Sequence, residues 1–196
     1  MGTLIVVEQL SLDGVMQAPG APDEDRSGGF SHGGWYMPYF DEVGMGIAAE
    51  GIADTGAYLF GRRTYEIMAS YWPKVPEGDP FGDTLNGLPK YVASTTLDEP
   101  LAWQHAELLE GDVPAAVADL KRALAKNIVV LGSGQLVRTL LDHDLVDELT
   151  LMIAPLVLGS GKQLFDGRGP TIPLRLVDTA TTGTGVIVAS YRRDAR

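Results

Sequence analysis

Residues 3–10, Thr-Leu-Ile-Val-Val-Glu-Gln-Leu, are dense in β-branched and aliphatic side chains and predict a buried strand. Ser11-Leu12-Asp13-Gly14 then breaks the run as a turn. Residues 19–34 hold Pro19, Gly20, Pro22, Gly28, Gly29, Gly33 and Gly34, a density of breakers that predicts a long irregular loop of the mobile, functional kind. From Pro38 to Ala53 the apolar positions Phe40, Val43, Ile47 and Ile52 recur at helical spacing. Ala57–Phe60 reads as a short strand, Thr64–Ala69 as a helix, 73–89 as loop, 90–94 as a strand and Val113–Ala125 as an amphipathic helix.

The clearest unit follows. Asn127–Leu131 is a strand, Gly132-Ser133-Gly134 a tight turn, and Gln135–Asp142 a helix. Leu149–Leu158 reads as one long apolar strand, and 174–180 with 185–191 as a closing antiparallel hairpin. Strands that alternate with helices and later pair with one another predict an α/β fold with a mixed, mainly parallel sheet covered by helices. With no internal repeat and no linker, a single domain over 1–196 is expected.

Composition narrows the partners more than the fold. The net charge of −11 argues against nucleic acid and anionic membrane, both of which need a basic surface. No stretch reaches the length of a membrane span, and the N-terminal apolar run lacks the basic flank of a signal peptide. The chain has no cysteine, so disulfides, thiolate metal sites and cysteine nucleophiles are excluded, and a cytoplasmic location is expected. His105 and His143 have no metal-ligand spacing, so no metal is expected. A phosphorylated ligand would need a local positive site.

Two strand–glycine–helix junctions could supply it. In Leu59-Phe60-Gly61-Arg62-Arg63-Thr64-Tyr65, glycine allows close backbone approach and the helix start offers unpaired N–H groups beside two arginines. The alternative has Thr64 capping the helix and both arginines solvated. Gly132-Ser133-Gly134-Gln135-Leu136 has the same physics, although Val137 stands where a G-x-G-x-x-G motif would need its last glycine. Two such junctions in one small sheet could anchor a dinucleotide along its length.

Gly61-Arg62-Arg63-Thr64-Tyr65 resembles the cofactor turn of dihydrofolate reductases, and Gly132-Ser133-Gly134 resembles that family's later glycine turn. Ser11-Leu12-Asp13-Gly14, Asp147-Glu148-Leu149 and Ala154-Pro155…Leu158-Gly159-Ser160-Gly161 are similar to the branch containing the reductase domain of bacterial riboflavin biosynthesis (the RibD C-terminal domain). The resemblance spans roughly residues 3–191. It implies a dihydrofolate-reductase-like three-layer fold and hydride transfer from NADPH to a small heterocyclic substrate. Ser94, Thr95 and Thr96 would lie near the adenosine ribose, where with the arginines they would suit a 2′-phosphate.

It further implies that Ser11–Gly14 shape the nicotinamide end, with Ser11 and Gly14 near substrate. Asp13 and Asp41 are the two candidate proton donors. Trp35, beside His32 and Tyr36 at the end of the glycine-rich loop, could stack on a flat heterocycle, or could pin the loop to the core. No deaminase zinc signature is present, so a stand-alone reductase is expected. A pterin reductase and a non-catalytic nucleotide-binding protein of the same fold are the alternatives. The long apolar strand 149–158 and the resembled reductases point to a homodimer.

Overall fold

The first strand organises the molecule. In the computed structural model, which describes residues 1–167 and 169–194, β1 (Leu4–Ser11) runs through the middle of one eight-stranded sheet. Positions 168, 195 and 196 of the expected 1–196 domain lie outside the described residues. Along β1, Leu4, Val6 and Leu10 are buried on one face, while Val7 packs against the clusters of the other. A strand covered on both faces must be apolar on both, which is why its hydrophobic run is nearly continuous.

After β1 come α1 (Glu42–Ile52), β2 (Thr55–Gly61), α2 (Arg62–Tyr71), α3 (Pro80–Gly87), β3 (Lys90–Ala93) and β4 (Ala106–Leu108). The second half contains α4 (Val113–Ala123), β5 (Asn127–Leu131), α5 (Gly134–Asp142), β6 (Glu148–Ala154), β7 (Leu174–Thr181) and β8 (Ile187–Arg193). The strand order is β4-β3-β2-β5-β1-β6-β8-β7. Strands β4 to β6 in that order pair in parallel, and β8 and β7 close the sheet as an antiparallel hairpin. The expected mixed α/β sheet is present.

Each face has its own core. Val117 of α4 and Leu136, Val137, Leu140 and Leu141 of α5 pack on Leu4, Val6, Ile128, Val130, Leu149 and Leu151. Opposite them, Tyr65 of α2 and Leu85 of α3 pack on Tyr58, Phe60, Val92 and Val129, and a third cluster gathers Trp35, Tyr36, Met152 and Val188. The chain therefore winds leftward from β1 along one face and rightward from β5 along the other.

Several boundaries differ from expectation for local reasons. Pro38 enters a 3-10 turn, and α1 starts at Glu42, where Asp41 accepts the Gly44 N–H at 2.8 Å. Residues 73–89, expected as loop, contain α3, started by Asp79 as cap and Pro80 in its first turn. β6 stops at Ala154 because Pro155 has no N–H to give the ladder. Flanked by β1 and β8, β6 uses its apolar length inside the sheet, so that length is not a sign of a partner chain.

Candidate functional site

The parallel sheet opens at its C-terminal edge between β1 and β5. β5 pairs with β1 only as far as Val7↔Leu131, whereas β6 follows β1 to Ser11↔Ala154. Beyond Val7, β1 therefore borders a notch left by β5, at the point where the winding reverses. Open α/β sheets bind ligands at this position.

Two helix starts frame the notch, and they differ from the rest. α1, α3 and α4 are each capped by an aspartate, with Asp41, Asp79 and Asp112 accepting the N–H of Gly44, Gly82 and Ala115 at 2.8, 2.7 and 3.0 Å. α2 and α5 begin at Gly61 and Ser133 with no side-chain cap, so their first-turn N–H groups are left for a ligand or water.

Ser133 joins the two starts. Its Oγ accepts the Gly61 N–H at 3.0 Å and donates to the Leu131 carbonyl at 3.3 Å. Ser133 has φ +66° and Gly132 φ +60°, two consecutive left-handed residues. For serine that backbone costs about 1–2 kcal/mol, so the turn is held by its surroundings. A Cβ at Gly132 would come 3.3 Å from Thr64 Cγ2, so the second turn is packed directly on the first. The sequence-expected cofactor residues Gly61, Arg62, Arg63, Thr64, Gly132, Ser133, Gly134, Gln135 and Leu136 are thus brought to one place. Leu136 can contribute only backbone, because its side chain is in the core. Register Gly61↔Ala93 sets Ser94 and Thr95 along the same edge. There Ser94 Oγ accepts the N–H of Thr96 and Leu97, both at 3.1 Å.

The cations of the edge already have partners. Arg62 bonds Glu66 at 3.2 Å across one helical turn. Arg63 and Lys162 converge on Asp25 at 2.8 and 2.6 Å. Burial opposes ionisation of Asp25, but the Lys162 and Ser27 hydrogen bonds overcome it and hold the carboxyl near 2. Gln17 completes the latch. Its amide donates to the carbonyls of Asp25 and Ser27, and its Oε1 accepts the Lys162 N–H. The glycine-rich segment is therefore fastened over the edge, not loose as its composition suggested.

The expected substrate-side residues take structural tasks. Ser11 is buried, and its Oγ donates to Asp13 at 2.6 Å and accepts the Val15 N–H. Asp13 also accepts the N–H of Leu158 and Gly159 at 3.1 and 2.8 Å. The Ser11 hydroxyl leads the causes that hold its carboxyl near 2. Gly14 supplies the positive φ of +82° that turns the chain there. Asp41 caps α1 and accepts the Thr184 N–H at 3.0 Å, and the Gly44 N–H leads the causes that lower its pKa. Both aspartates are ionised at neutral pH, which leaves neither a proton to give. Trp35 is buried, with its Nε1–H donating to the Gln17 carbonyl at 2.8 Å, so it pins the loop and shows no face to a substrate.

The residue missed from sequence is Glu8. It is 3% exposed, its Oε1 has no hydrogen-bond partner, and burial pushes its pKa up to about 8. Its signal was its parity with Leu4, Val6 and Leu10 on an inward-facing row.

A second concavity, of about 570 Å³, lies at the opposite end of the strands between Pro73, Val75, Asn86 and Trp103. Glu77 and Asp83 line it, which makes it a poor host for an anion.

Known proteins share this architecture. The YyaP protein of Bacillus subtilis (strain 168), itself uncharacterized, is 32% identical over 136 residues, covering 68% of this chain and 71% of that one. A Shewanella sp. PV-4 protein provisionally assigned to riboflavin biosynthesis superposes with a TM-score of 0.69 at 20% identity, covering 98% of this chain and 99% of its own. A diaminohydroxyphosphoribosylaminopyrimidine deaminase/5-amino-6-(5-phosphoribosylamino)uracil reductase from Thermotoga maritima gives 0.65 at 16% identity; this chain, 98% covered, spans 57% of it. The match that covers most of the sequence runs over residues 2–188, and it shows that this chain belongs to the RibD C-terminal domain family.

Proposed function

We propose that this protein is a reductase that takes hydride from NADPH and delivers it to a small heterocycle of the 5-amino-6-(5-phosphoribosylamino)uracil type. The observation that carries the reading is the pair of uncapped helix N-termini, joined through Ser133 at the notch between β1 and β5. The first-turn N–H groups of α2 and α5 would hold the cofactor's pyrophosphate. Arg62 and Arg63, exchanging Glu66 and Asp25 for phosphate oxygens, would favour the 2′-phosphorylated cofactor, with Ser94 and Thr95 beside its ribose. The reduced nicotinamide, when bound, supplies the hydride. Family membership and the reductase neighbour support the substrate class.

One observation favours the non-catalytic alternative: Asp13 and Asp41 are ionised and fully engaged. A catalyst of this kind needs its proton from elsewhere. We also infer a cytoplasmic homodimer. Leu174, Leu176 and Val177 stand exposed on the edge strand β7, an apolar patch that a second copy would cover. A monomer by light scattering would remove that inference.

The test of the main reading is a fluorescence titration with NADPH and, separately, NADH. Saturable binding that prefers NADPH and is lost in an Arg62→Ala/Arg63→Ala variant is the expected result. Absence of binding by either cofactor would overturn the reading.

A further inference from the structure

Glu8 is the one buried carboxyl oxygen left without a partner among the described residues. β1 presents Leu4, Val6, Glu8 and Leu10 to the face covered by α4 and α5. The pairing Val7↔Leu131 puts Glu8 level with Gly132, the residue at which β5 leaves the sheet, and on its other side Glu8 pairs with Leu151. The carboxyl therefore borders the notch on the α5 side of the sheet, level with the turn from which α5 starts and across the sheet from α2.

Its surroundings give it nothing to pair with. β5 presents Ile128 and Val130 on this face, β6 Leu149 and Leu151, and α5 Leu136, Val137 and Leu140. The cation of α5, Arg138, donates to the Gln163 and Leu164 carbonyls and lies 3.7 Å from Asp166, and Lys121 of α4 is paired with Asp147. Desolvation is the cause of the raised pKa, about 8, with no charged neighbour contributing. An unpaired carboxyl in an apolar floor is costly to folding, and such costs concentrate where a ligand gives the group work. Asp13 and Asp41 are ionised, so among the candidate acids it is Glu8 that holds a proton at neutral pH.

We propose that Glu8 is the proton carrier of the notch, a neutral acid beside the reduced nicotinamide and a carboxylate beside the oxidised, positively charged ring. The assignment rests on the cofactor reading above and adds to it the source of the proton. As hydride reaches the electrophilic carbon of a substrate C=N bond, Glu8 protonates the nitrogen. The substrate is reduced by two electrons, the cofactor is oxidised by two, and Glu8 is left ionised facing the new cation. Water returns the proton once the oxidised cofactor leaves.

The coupling can be read without any substrate. Calorimetric titration of the full chain at pH 7, in two buffers of different ionisation enthalpy, counts the protons exchanged on binding NADP⁺ and NADPH. Wild type should release most of one proton with NADP⁺ and none with NADPH, and Glu8→Gln should release none with either. In wild type carrying carboxyl-¹³C glutamate, one resonance should titrate near pH 8 and move to low pH on adding NADP⁺. NADP⁺ binding without proton release, or release that persists in Glu8→Gln, overturns the carrier and leaves the cofactor site standing. Absence of binding by either cofactor, in calorimetry and fluorescence alike, removes both.

Discussion

Replacing Glu8 by Gln should change how stability depends on pH in a way that few other substitutions could. The folded protein holds the Glu8 proton up to about pH 8, while the unfolded chain releases it near the ordinary value of 4.5. Between those values the folded state binds one proton more, so wild-type stability falls as pH rises and levels off above 8. Each unit is worth about 1.4 kcal/mol, so wild type should lose roughly 4 kcal/mol between pH 5 and pH 8 through this one group.

The neighbouring titrations fall largely outside that window. Asp13 and Asp25, held near 2, give stability that is present above pH 4 and lost only toward pH 2. Lys90, lowered to about 8 by burial, makes stability rise between pH 8 and its ordinary 10.5. Glu24, raised by burial, has the same sign as Glu8 but is unchanged by the substitution. The difference between wild type and Glu8→Gln therefore isolates the one carboxyl. Urea unfolding at pH 5, 6, 7 and 8 should give two curves that nearly meet at pH 5 and separate by roughly 4 kcal/mol at pH 8, with Gln the more stable. Parallel curves would refute the argument, because they would mean that water or a cation already satisfies Glu8 in the fold.

Ser133→Ala keeps the strained backbone and loses the Gly61 bond, so it should cost about 1–2 kcal/mol, whereas Ser133→Gly relieves the strain and should cost less; the reverse order of urea midpoints would refute the strained Ser133 link to Gly61. Asp147→Ala removes the partner of the nearly buried Lys121 and the acceptor of the Leu4 N–H, at 2.6 and 2.7 Å, and should cost about 2–3 kcal/mol. A cost below about 0.5 kcal/mol would mean that solvent already screens the pair. Asp25→Ala should release the segment 19–34 from Arg63 and Lys162. Losing charge-assisted bonds worth about 1.5–3 kcal/mol should speed proteolytic cleavage there roughly ten- to a hundredfold, and an unchanged rate would show that Gln17 and Trp35 suffice.

The sequence was most informative where the backbone does the chemistry. Gly61 and Gly132-Ser133-Gly134 mark their junctions by composition, and the structure joins them. The edge of the sheet beyond β2 was harder to read. β4 has only three residues, too few for a period, and α3 lies in a stretch whose Pro80, Gly82 and Gly87 resemble loop punctuation although Asp79-Pro80 is a helix start. Asp13 and Asp41 drew attention as acids near the expected substrate. Each is engaged locally, by the Ser11 hydroxyl and the Gly44 N–H, and again by Leu158 and Thr184, 145 and 143 residues away, and no local pattern shows the distant half. Glu8 is the converse case: a charge inside an apolar strand is informative only once the face it points to is known.

The uncapped starts of α2 and α5 have a consequence for how the protein lives in a cell. Three helices carry their own aspartate caps; on the cofactor reading, these two would leave that task to the anion held in the notch. By mass action, a ligand present at a hundred times its dissociation constant adds about 2.7 kcal/mol to the folded state. That is a sizeable share of the stability of an ordinary domain. The ligand pool would then set how long the polypeptide survives as well as whether it works, and a cell depleted of that ligand would clear the protein along with its activity.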